Sequence, residues 1–204
     1  MVWGVREKKF LDKLDHPVKI QRFLDSINYD PIKGTGSPRY VIKEGKANCF
    51  EGAIFGAAAL ENIGFKPLIV DMMAHNDDDH VIAVYKWNGH WGAIAKSNTA
   101  VLRYREPVYR SIRELVMSYF DLYMNTNGEK TLRTYTMPVN LQRFDKQGWR
   151  TTSEDLEFIS EQLYSVKHHD ILDKKMIKNL KKANPLLLKA TLLGSIPEGL
   201  YTPE

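Results

Sequence analysis

The residue best suited to covalent chemistry is Cys49, the only cysteine in the chain. Downstream of it Phe50, Ala53, Ile54, Ala57, Leu60 and Ile63 recur at helical spacing. Asn48 is a good N-cap and Glu51, three residues on, completes a capping box, so a helix is predicted to begin at Cys49. Gly64 supplies its stop and Pro67 prevents continuation. A thiol at the first helical position faces unpaired backbone N–H groups and the positive end of the helix dipole, which favours the nucleophilic thiolate. The same N–H groups, that of Cys49 included, can hold an oxyanion during acyl transfer.

A thiol nucleophile needs a base, and His80 suits that role. It opens an alternating run, His80 to Trp87, that ends at Asn88-Gly89, the strongest short hairpin signal in the chain. With those two as the loop, Trp87 pairs with His90 and His80 falls opposite Ser97. Ser97, or Asn98 just beyond it, is then placed to orient the imidazole.

The run His75-Asn76-Asp77-Asp78-Asp79-His80 combines oxygen and imidazole donors. It lacks EF-hand spacing and has no defined partner elsewhere, so it is predicted to be a solvated acidic loop beside the site, able to repel acidic substrates. A metal-binding protein using His75, His80 and the intervening aspartates is a second alternative; neither metal nor cofactor is expected. His168-His169-Asp170 reads as a surface junction. The lysines at 174, 175, 178, 181 and 182 spread over more than one helix face and read as solvated, without an aromatic nucleic-acid motif.

The elements that would position these residues are an N-terminal helix from Pro17 to about Ile27, a loop from Asn28 to Arg39 and a short extended segment at Tyr40-Val41-Ile42. After the Cys49 helix come a buried strand from Leu68 to Met73, a loop from Ala74 to Asp79, and the hairpin, returning from Trp91 to about Ser97. Glu106-Pro107 is predicted to open a long helix with a stripe from Val108 to Tyr123, its Tyr119, Phe120 and Tyr123 packed on the N-terminal helix. Thr131 to Leu141 alternates like a strand. Beyond Gly148 the pattern is helical: a helix carrying Leu156, Ile159 and Leu163 capped near Thr152, another from Ile171 to Leu180, and a short one from Asn184-Pro185 to Gly194.

These elements imply an α+β fold: an antiparallel sheet packed on the helix that starts at the cysteine, residues 1–150, with residues 151–204 a helical extension on the same domain. At 204 residues, with 43% hydrophobic and 26% charged residues, the chain has ordinary globular composition and length enough for a sizeable core. A single cysteine excludes an intrachain disulfide framework and a multi-cysteine metal site, and with no apparent signal sequence a cytoplasmic location is expected. The net charge of +4 is small and dispersed, so neither nucleic acid nor membrane is an expected partner.

The order of these residues resembles the transglutaminase-like branch of the papain-like cysteine peptidase superfamily. The likeness runs over residues 45–98, about a quarter of the chain: Gly45-Lys46-Ala47-Asn48-Cys49-Phe50-Glu51-Gly52-Ala53, Gly64-Phe65-Lys66-Pro67, His80-Val81-Ile82-Ala83-Val84-Tyr85 and Trp91-Gly92-Ala93-Ile94. The resemblance implies a nucleophile at Cys49, a base at His80, and hydrolysis or acyl transfer at a peptide or other amide bond. Members often carry Asp four residues after the returning-strand tryptophan, where this chain has Ala95; papain-like members carry Asn near that strand end, and Lys96-Ser97-Asn98 offers Asn98 as the third member. A catalytically inactive binding module on the same scaffold is the alternative.

Overall fold

The computed structural model describes residues 3–32 and 34–203. Helices α1 (Val5–Leu11) and α2 (Pro17–Ser26) precede a two-residue parallel pairing of β1 (Asn28–Tyr29) with β2 (Lys46–Ala47). Between those strands lies α3 (Pro38–Glu44), where an extended segment was predicted. Pro38 at its first position pre-sets the helical φ, and Gly45 ends it at φ +62°. Helix α4 runs Cys49–Asn62 with Asn48 as N-cap, and both arms of the capping box are formed.

Strands β3 (Leu68–Ala74), β4 (His80–Trp87), β5 (His90–Ile94), β6 (Arg105–Tyr109), β7 (Leu132–Thr136), β8 (Val139–Asn140) and β9 (His168–Asp170) form one seven-stranded sheet among the described residues. Its order is β6-β5-β4-β3-β7-β9, with β8 also on β3, and every pairing is antiparallel. The hairpin has the expected register, Trp87 opposite His90 and Ala83 opposite Ile94. It closes at Ile94, short of Ser97, because the Gln21 side chain of α2 takes both the N–H and the C=O of Ala95, at 3.0 and 2.9 Å. His80 pairs instead with Met72 on β3.

The sheet divides two cores. On one face Ile69, Val81, Ala83, Tyr85 and Ile94 pack with α2 and α4. On the other Val70, Met72, Ile82, Val84 and Ala93 pack with Leu115, Val116, Tyr119 and Tyr123. Strand β4 is therefore buried on both faces over its first six residues, which explains its near-continuous apolar run. Tyr119 and Tyr123 thus lie across the sheet from α2, not against it. The long helix predicted from Pro107 is absent: Pro107 sits in β6, an edge strand, where a missing N–H costs little. Helix α5 (Ile112–Met117) starts only after Ser111, whose hydroxyl caps Glu114 N–H, and Val108 is 62% exposed.

In the C-terminal region α6 (Glu157–Ser165), α7 (Lys174–Asn179) and α8 (Pro185–Thr191) are shorter than the spacing suggested. Thr152 does not cap α6; its hydroxyl accepts from Glu154 N–H. Leu156, Ile159 and Leu163 join the α4-side core. His168-His169-Asp170 is not a junction but the outer strand β9. No described helix is long and apolar enough to cross a membrane.

Helix α4 approaches the sheet through small residues. A Cβ on Gly56 would lie 3.1 Å from the Ala83 Cβ, and one on Gly52 would fall on the Lys96 Cβ. Lys96 cannot yield, because its ammonium donates to Leu24 C=O and Ile27 C=O at the C-terminal end of α2. Gly52→Ala is therefore expected to cost about 1–3 kcal/mol, read by urea titration, whereas Gly64→Ala meets no neighbouring atom and strains only its own φ of +94°. Equal stability of Gly52→Ala and wild type would refute the close-approach argument.

Candidate functional site

Cys49 and His80 both line a cavity of about 610 Å³, with Asp71, Asn98 and Tyr123 also on its wall. The cavity forms where the N-terminus of α4 meets the first residues of β4. Asn48 is fully occupied in fixing that end: Oδ1 accepts from Glu51 N–H, and Nδ2 donates to Gly34 C=O at 2.7 Å and Ile32 C=O at 3.4 Å. Glu51 returns one carboxylate oxygen to Asn48 N–H and the other to Gly36 N–H.

Cys49 is partly exposed, and its thiol lies 3.8 Å from the carbonyl oxygen of Asp79. Burial pushes the thiol up to about 11; the N–H groups of Val81 and Phe50 pull it down, while Asp78 and Asp71 push it further up. The predicted lowering at a helix start is thus reversed. The sulfur sits deep enough, and near enough to carboxylates, that desolvation outweighs the N–H groups around it.

His80 is buried, and its Nε2 bonds to the carbonyl oxygen of Leu102 at 2.8 Å. A carbonyl only accepts, so Nε2 carries the proton and the neutral ring keeps its lone pair on Nδ1. Burial drives the imidazole down to about 4; the Leu102 contact opposes this and the charge of Arg105 reinforces it. Tyr123 stands edge-on to the ring, centroids 6.4 Å apart, and donates its hydroxyl hydrogen to Asp78 C=O at 2.7 Å. No hydrogen bond joins the His80 ring to the Cys49 thiol.

The predicted orienting residues are engaged elsewhere. Asn98 donates through Nδ2 to Ile196 C=O and accepts through Oδ1 from Ile196 N–H, each at 2.8 Å. The Ser97 hydroxyl bonds to the hydroxyl and the N–H of Thr99. The expectation that Asn98 or Ser97 holds His80 is corrected: the hairpin ladder ends at Ile94, the chain turns away, and the backbone of Leu102 reaches the ring instead. Nothing in a residue type announces a backbone carbonyl, so this partner had no sequence signal.

Asp71 was also missed, although a carboxylate within Leu68-Ile69-Val70-Asp71-Met72 is a legible anomaly. It is buried, its N–H donates to the Thr136 hydroxyl, and its carboxylate lies 3.5 Å from His168 Nε2. Burial, with the charge of Asp79, raises it to about 6 despite His168.

The acidic loop is organised by hydrogen bonds within it and by Asn125 and Thr131 from the segment before β7. Asp77 accepts from Asp78 N–H and the Thr131 hydroxyl, Asp79 accepts from Ala74 N–H, and Asn125 donates to Asn76 C=O. Burial raises Asp77 to about 6, so the loop is partly buried where full solvation was predicted. Among the described residues no three His, Cys, Asp or Glu side chains converge to hold a metal ion.

No protein-family model matches the chain, and no curated protein matches it.

Two pH measurements follow. Alkylation of Cys49 by iodoacetamide is expected to be slower at pH 7 than that of a free thiol, ordinarily near 8.5, and to keep climbing above pH 9; a plateau below pH 8 would contradict a raised thiol. His80, held neutral by the fold, contributes stability that is present above its unfolded value near 6.5 and is lost as pH falls through about 4. The loss is at most roughly 3 kcal/mol. Asp71 and Asp77 titrate near 6 in the opposite sense, so the readout is the difference between wild type and His80→Gln in chemical denaturation at pH 7 and pH 4.5: the variant is expected to lose less.

Proposed function

We propose that this protein is a thiol-dependent enzyme acting on an amide or related acyl bond, a cysteine hydrolase or acyltransferase of the transglutaminase-like, papain-like type. The observation that carries this reading is that Cys49, at the mouth of α4, and His80, with its tautomer set by the Leu102 carbonyl, open into one cavity. In the proposed reaction Cys49 Sγ attacks the acyl carbon and His80 Nδ1 takes the thiol proton. With the thiol near 11 and the imidazole near 4, a preformed thiolate–imidazolium pair lies well uphill. The proton therefore leaves as the C–S bond forms, which is general-base catalysis. The Cys49 N–H at the helix start is available to the oxyanion. The imidazolium returns its proton to the departing amine, and water or a second amine resolves the acyl-enzyme.

A binding module without chemistry is the second reading. It is favoured by one observation, that the thiol contacts Asp79 C=O and not the His80 ring. Acyl-donor probes spanning peptide, isopeptide and glycopeptide amides separate the two. Covalent adducts at Cys49 with turnover are expected, abolished in Cys49→Ala and reduced about 10²–10⁴-fold in His80→Gln. Equal acylation rates in wild type and His80→Gln, with no turnover, would leave the binding module standing.

A further inference from the structure

Residues Glu198 to Thr202 form part of the wall of the cavity that holds Cys49, and Ile196 and Pro197 lead into them. Their attachment to the rest of the fold is polar. Ile196, Leu200 and Tyr201 belong to neither apolar core. What holds them is recognition of main chain. Asn98, buried on the cavity wall, grips both the N–H and the C=O of Ile196 at 2.8 Å, and the Thr126 hydroxyl donates to Tyr201 C=O at 3.4 Å. Ile196 and Leu200 are extended, with a short 3-10 turn, Pro197–Gly199, between them. Gly199 threads a slot in which a Cβ would lie 2.9 Å from both Asn98 Nδ2 and Tyr29 Cε1.

A buried side-chain amide that satisfies both polar groups of one extended residue reads polypeptide irrespective of that residue's side chain, as an added strand does. Both polar ends of the buried Asn98 amide are satisfied by this main chain. We propose that this wall of the cavity is a seat for a polypeptide substrate, read through its main chain by Asn98, and that residues 196–202 occupy the seat in cis and restrict access to Cys49. The proposal rests on the reading of Cys49 as a reactive thiol and narrows the substrate class to peptides. Asn98 is thereby a substrate-positioning residue and not the group that orients His80.

The test uses the full chain and the alkylation rate of Cys49 by a bulky maleimide. Gly199→Val blocks the slot from the tail side and is expected to raise the rate about tenfold by releasing a locally held segment. A synthetic peptide, Ser-Ile-Pro-Glu-Gly-Leu-Tyr-Thr, added to that variant is expected to restore protection, and a scrambled peptide is not. Asn98→Ala should raise the rate as well, but the peptide should fail to protect it, because the seat itself is gone. An unchanged rate in Gly199→Val, or protection by the peptide in both variants or in neither, overturns the proposal. Labelling needs only an accessible thiol. Peptide protection without turnover on acyl probes would therefore overturn the catalytic reading alone, and turnover without peptide protection would overturn the seat alone.

Discussion

One buried carboxylate holds the site together. Glu51 places one oxygen on Asn48 N–H and the other on Gly36 N–H, joining the first turn of α4 to the loop that precedes α3. Taking a carboxylate out of water is costly unless charge-assisted hydrogen bonds replace the lost solvation. Burial accordingly raises the Glu51 carboxyl while the two N–H donors lower it. Asn48 completes the join from the other side through Gly34 C=O. The cavity wall around Ile32 and Gly34, the start of α4 and the position of Cys49 are consequences of this one knot, and with a single cysteine in the chain no intrachain disulfide substitutes for it.

The chemistry of the site is a contest between two effects acting on the same atoms. A helix start and nearby N–H groups favour a thiolate; depth and neighbouring carboxylates oppose it, and here they win. The same burial disfavours imidazolium at His80. Both partners rest neutral, and each is bonded to a carbonyl of the main chain, Cys49 to Asp79 and His80 to Leu102. A thiol held neutral in this way reacts slowly with small electrophiles in solution near neutral pH.

Local patterns were legible where short-range physics decides them. The capping box at Asn48 and Glu51, the Asn88-Gly89 turn and the register of β4 against β5 all follow from neighbours in the chain. The segment from Pro107 was misread because a helical stripe in sequence cannot reveal that β6 lies at an edge where proline is tolerated. Tyr40-Val41-Ile42 looked extended by residue type, but Pro38 and Gly45 bracket a helix. Cys49 and His80 were legible as chemistry-bearing types, and the structure brings both to one cavity. The partner of His80 was not, since it is a carbonyl from a segment whose path depends on tertiary contacts.

That carbonyl belongs to a stretch stapled by arginines. Arg103 donates to the C=O of Thr99 and Ser97, Arg105 donates to the C=O of Val101, and the Tyr119 hydroxyl holds the C=O of Arg103. The proton position on His80 is thus written in the path of the chain and not in any one side chain. Where Asp or Asn performs this task, a single codon change erases it. Here no substitution at residue 102 except proline-like distortion of the backbone would do so, and the genetic vulnerability is displaced onto two guanidinium groups and a phenol that never touch the ring. A mutational scan of such a site would mark Arg103, Arg105 and Tyr119 as sensitive for the proton position, while at Leu102 it would read only the packing of a buried core side chain.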